Sequence, residues 1–122
     1  MPMNVREEGS LIVLSNFGRL MNDPRYVDAA RDVGALLDEG HRRFVIDLDS
    51  LRDLSDVALG LLTTITRRIR QREAEAVLIH VHRDVLRHLD EMRMDDYWEI
   101  FDDYKEIEAF FKEDDPEPEP ND

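Results

Sequence analysis

Apolar residues fall in short blocks whose spacing alternates between two periods, and that alternation predicts a repeated strand–helix pattern. Residues 11–17 read LIVLSNF, an apolar and partly β-branched run ending at Gly18, as a strand closed by a turn does. Asp23 followed by Pro24 predicts a helix start, because the carboxylate accepts from orphan amides and a proline in the first turn withholds no donor the helix needs. Gly40 supplies the stop. Between them Val27, Ala30, Val33 or Gly34, and Leu37 recur at helical spacing and leave Arg25, Asp28, Arg31, Asp32 and Asp38 for water. Residues 43–49, RFVIDLD, are too few for a helix and apolar on both alternating faces, which predicts a central strand. The next helix is expected over about 56–70, with Ser55 or Asp56 placed to cap its first turn. Winding at helical period puts Val57, Ala58, Leu61, Leu62, Ile65 and Ile69 on the core side and Asp56, Gly60, Thr63, Thr64, Arg67 and Arg70 on the other.

The pattern then repeats. Residues 76–81, AVLIHV, read as a buried strand, and 84–92, with Val85, Leu86, Leu89 and Met92, as a helix. A short last strand fits 97–101, and a helix with apolar Ile107, Phe110 and Phe111 fits 103–111. From Lys112 onward acids alternate with prolines, a composition that buries too little apolar surface to offset its ordering entropy. The expected organisation is one domain over 1–111 and a disordered acidic Pro/Glu/Asp tail over 112–122. Helical crossovers between successive strands imply an α/β fold: a mixed, centrally parallel sheet of four or five strands with about four helices.

Charge narrows the partners. The chain of 122 residues carries 29 acids against 16 bases, a formal charge of -13, so nucleic acid is excluded as an expected ligand. Glu113, Asp114, Asp115, Glu117, Glu119 and Asp122 concentrate six of those acids near the end of the sequence. There is no cysteine, hence no disulfide or thiolate chemistry. The uncharged stretches 10–18 and 57–66 fall short of the roughly 18–20 apolar residues a membrane span needs, and no basic leader precedes an apolar run. A cytoplasmic protein without direct membrane insertion is expected.

Candidate chemistry is thin. Asp47 and Asp49 end a strand two residues apart and could face a divalent cation, and His80 and His82 could join His88 at zinc, but spacing fixes no full ligand set. Solvated strand ends are the better reading, with no metal and no cofactor expected. No nucleophile elbow or phosphate-cradling glycine loop is present, so no enzymatic activity is expected. Arg67, Arg68, Arg70 and Arg72 cluster where a helix ends, favourable to its dipole and suited to an acidic protein surface.

The stretch VIDLDSLRDLSDVALGLL, residues 45–62, resembles the STAS domain of sulphate transporters and anti-sigma factor antagonists. The family motif Asp-Ser-Ser/Thr-Gly-Leu-Gly is written here Ser55-Asp56-Val57-Ala58-Leu59-Gly60, so only Leu59 and Gly60 are kept. The resemblance implies a non-enzymatic, cytoplasmic regulatory module that binds an anti-sigma factor, kinase-like protein or other regulatory protein, with a homodimer also compatible. It places the phosphorylated hydroxyl at Val57, which has no oxygen, so no switching is expected there; Ser55 is the alternative acceptor, although an N-cap role suffices for it. The partner-binding set implied is Leu54, Ser55, Asp56, Val57, Ala58, Gly60, Thr63, Thr64 and Arg67. The alternative is a STAS-like scaffold or accessory subunit of a larger complex, such as a stressosome or a lipid or anion transporter.

Overall fold

A computed structural model describes residues 3–114. Five strands form one sheet in sequence order: β1 (Asn4–Glu8), β2 (Leu11–Ser15), β3 (Arg43–Asp47), β4 (Glu75–Ile79) and β5 (Ile100–Phe101). β1 pairs antiparallel with β2, and all later pairings are parallel, with Val13 opposite Val45 and Val45 opposite Val77 at the centre. The helices are α1 (Phe17–Leu20), α2 (Ala29–Asp38), α3 (Asp56–Gln71), α4 (Arg83–Glu91) and α5 (Tyr104–Asp114). The mixed, centrally parallel sheet expected from the pattern is the one observed.

Alternation along the strands builds two cores. Ile12, Leu14, Phe44, Ile46, Ala76 and Leu78 point to one face and pack against α2, α3 and α4. Leu11, Val13, Val45, Val77 and Ile79 point to the other, where Ile107 and Phe111 of α5 cover them. Both faces of β2–β4 are therefore buried, which is why these strands read as continuous apolar runs.

Several expectations are corrected. Asn4–Glu8, where the apolar pattern predicts no element, is a fully paired edge strand with every residue exposed. Residues 11–17 divide: the strand ends at Ser15, Asn16 adopts φ 71°, and α1 starts at Phe17. The helix expected from Pro24 begins as a 3-10 turn, Pro24–Asp28, with Asp23 accepting from the Arg25 amide. Tighter winding turns Val27 outward, 65% exposed, rather than into the core. Gly40 does stop α2: at φ 100° it allows the Gly40 and His41 amides to reach back to the Leu37 and Leu36 carbonyls. α5 runs to Asp114, so residues 112–114 continue the helix instead of starting a tail. The rest of the expected disordered segment, 115–122, lies outside the described residues.

A candidate partner-docking site at the start of helix α3

The loop from β3 to α3 is held from beneath. The Leu48 amide donates to the Ile79 carbonyl at 3.0 Å, while Leu48, Leu51 and Leu54 insert into the core. On its outer side the Ser50 hydroxyl accepts from the Gly18 amide at 2.9 Å. A β-carbon at Gly18 would sit 2.3 Å from the Ser50 carbonyl oxygen, so only glycine permits this approach. The loop thus delivers Ser55 in extended conformation at the N-cap, where its Oγ accepts from the Ala58 amide at 3.1 Å. Asp56 in the first turn places a carboxylate at the positive end of the helix dipole.

Within the implied binding set the structure separates two groups. Leu54 and Ala58 are buried, 7% and 2% exposed, and support the surface without belonging to it. Val57, assigned by periodicity to the core side, is 52% exposed, because its neighbours Arg52, Asp53, Ser55 and Asp56 are exposed loop and first-turn residues that give it no cover. Val57, Gly60, Thr64 and Arg67 form an outward row, and nothing lies within 4 Å of a β-carbon placed at Gly60.

The threonine hydroxyls face inward. Thr63 Oγ1 donates to the Leu59 and Gly60 carbonyls, both at 3.0 Å, and Thr64 Oγ1 donates to the Gly60 carbonyl at 2.7 Å. With its hydroxyl spent on the helix, Thr64 leaves its methyl group for the surface. The row is therefore mildly apolar, with an isopropyl group, bare backbone and a methyl between a carboxylate and a guanidinium. Arg70 does not belong to it. Its Nε donates to Glu75 at 2.8 Å, its terminal nitrogen donates to the Tyr97 carbonyl at 2.7 Å, and its guanidinium stacks 4.7 Å from the Tyr97 ring. That partner comes from beyond β4, where no periodicity within the helix could announce it. Behind α3, the buried indole of Trp98 donates to Thr66 at 2.8 Å.

The strand ends hold their own polar groups. Asp47 accepts from the Asp49 amide at 3.0 Å and lies 3.1 Å from His80 Nδ1, while His82 Nε2 is 2.6 Å from the Asp49 carbonyl. His80 has φ 57° just past β4, and His82 stands at the N-cap position of α4 without a side-chain capping bond, so the two do not share a strand face as the spacing suggested. Among the described residues no three His, Asp or Glu side chains are grouped to hold a metal ion. Burial, and then the charge of Asp47, pushes the Tyr104 phenol up from its ordinary value.

Residues 22–107 match the model of the STAS domain, and the chain belongs to that family. Solved structures agree at the level of fold. One is a Thermotoga maritima protein described as a proposed anti-sigma factor antagonist, with a TM-score of 0.71 at 15% identity over 90% of this chain and 94% of that one. Another is an anti-sigma-factor antagonist (STAS) domain protein from Planctomyces limnophilus, with a TM-score of 0.71 at 18% identity over 89% and 97%. No curated protein matches the sequence. Among the described residues, no helix is long and apolar enough to cross a membrane.

Proposed function

We propose that this chain is a regulatory protein-binding module, related in role to the anti-sigma factor antagonists it resembles in fold, and that it docks a regulatory partner through the outward row of α3. The observation that carries the reading is Val57: an exposed apolar side chain in the first turn, at the position where the family motif has its phosphorylated hydroxyl. Nearby hydroxyls are engaged, Ser55 by the Ala58 amide and Thr63 and Thr64 by helix carbonyls. Phosphate here would add nearly two negative charges and alter the surface, and Val57 forecloses that switch at its own position. Docking is therefore constitutive with respect to this site, and the exposed Gly60 backbone lets a partner segment lie close.

The test takes the purified anti-sigma factors and kinase-like regulators from the same genome and measures binding by calorimetry. One of them should bind the native chain without prior treatment, and Gly60→Trp should abolish binding without lowering the melting temperature. If Gly60→Trp and Val57→Arg both bind as well as the native chain, docking lies elsewhere. If light scattering shows large homomeric particles and no regulator binds, the scaffold role replaces this one.

A further inference from the structure

α2 and α3 run side by side on the near face of the sheet, and between their C-terminal halves lies an open groove of about 420 Å³. Gly34 and Ala35 form its floor, and Arg31, Arg68, Gln71 and Arg72 line its rim together with Asp38. A β-carbon at Gly34 would be 3.9 Å from the Arg68 guanidinium, so this arginine lies across the floor. Arg72 is paired with Asp38 at 3.0 Å and Arg31 with Asp28 at 3.5 Å, but Arg68 and the adjoining Arg67 have no carboxylate partner among the described residues. Among the described residues Arg68 is thus the one cation lining this groove with no carboxylate beside it.

The acid that could occupy it begins at the same end of the sheet. α5 covers the far face, and its Phe111 ring lies 6.0 Å from the guanidinium of Arg43, the first residue of β3. Arg43 pairs with Glu75, which follows Arg72 by three residues. α5 therefore ends at the same end of the sheet as α2 and α3. Residues 115–122 carry Asp115, Glu117, Glu119 and Asp122, and eight residues reach at most roughly 26–29 Å. A second depression nearer α5, lined by Glu7, Ser10, Gly40, His41, Arg42 and Arg43, is the competing host that the experiment below distinguishes.

We propose that the acidic segment 115–122 of this chain occupies the arginine groove between α2 and α3, in competition with any acidic partner surface. The inference is independent of docking at Val57 and Gly60. Its occupant is held by charge, so salt should release it: the screening length falls from about 30 Å at 0.01 M to about 3 Å at 1 M.

The absence of native cysteine makes Asn121→Cys a unique attachment point for a nitroxide on the full chain. At low salt the amide resonances of Gly34, Arg68 and Gln71 should lose intensity several-fold relative to the reduced label, and recover in 1 M NaCl. Arg68→Glu with Arg72→Glu should also restore them, and Arg68→Gln alone should restore them in part, since Arg68 holds no ion pair among the described residues. Loss centred on His41 and Arg43, or spread evenly over the surface, overturns the proposal. So does loss that appears on unlabelled isotope-enriched copies in a mixed sample, which would assign the groove to a neighbouring molecule.

Discussion

Replacing Gly60 by alanine separates the surface described here from a merely tolerated glycine. The residue is the fifth of sixteen in α3, an interior position, where glycine is about 0.8–1.0 kcal/mol less favourable than alanine. Elsewhere such a gain is often offset by a clash. At this position no atom outside the local helix lies within 4 Å of the new methyl, and the Gly60 carbonyl keeps its bonds from Thr63 and Thr64. The free protein should therefore gain nearly the whole amount, a rise in melting temperature of about 4 °C for a domain of this size. Circular dichroism melts and urea titrations with an unchanged m-value would measure it. The same methyl should weaken partner docking about tenfold, equivalent to about 1.4 kcal/mol. A variant that melts lower than the native chain would refute the open helix face; one that melts higher yet binds equally well would refute close approach at Gly60.

Three further outcomes follow from other contacts. Gly18→Ala forces a methyl to within 2.3 Å of the Ser50 carbonyl and should cost about 1–3 kcal/mol in urea unfolding; a cost under a few tenths would show that the loop yields freely. Thr66→Val leaves the buried Trp98 indole without its acceptor and should cost about 1–3 kcal/mol, read from the fluorescence of the only tryptophan during denaturation. Bonds from the Arg25 side chain and amide hold the Asp23 carboxyl at about 2, below its ordinary 3.8. Because the folded value is the lower one, that stabilisation is present above pH 4 and lost as pH falls towards 2. The urea midpoint of the native chain should drop more steeply over that window than the midpoint of Asp23→Asn, and equal slopes would dismiss the effect.

The parts of the fold legible in the sequence were those that bury apolar side chains on both sides. β2, β3 and β4 lie between two helical layers, so their runs carry no polar alternation to confuse them. β1 was invisible because backbone pairing to β2 makes it a strand while all five of its side chains stay exposed, and only Val5 is apolar. Val27 departs from the helical pattern because a 3-10 turn does not keep the period of an α-helix. In α3 the outward positions Gly60, Thr64 and Arg67 followed from periodicity. Arg70 was misplaced because its partners, Glu75 and Tyr97, lie outside the helix. The direction of the threonine hydroxyls depended on carbonyls one turn back, and periodicity records which face a residue occupies but not where its rotor points.

Among the described residues three helices shield one face of the sheet, whereas α5 alone covers the opposite face. Severing the chain in the turn before Tyr104 would bare a contiguous strip of Leu11, Val13, Val45, Val77 and Ile79. Strips of this kind adhere to one another. Proteolytic loss of α5 would thus be felt first as insolubility, and this helix works as a solubility guard for the whole domain.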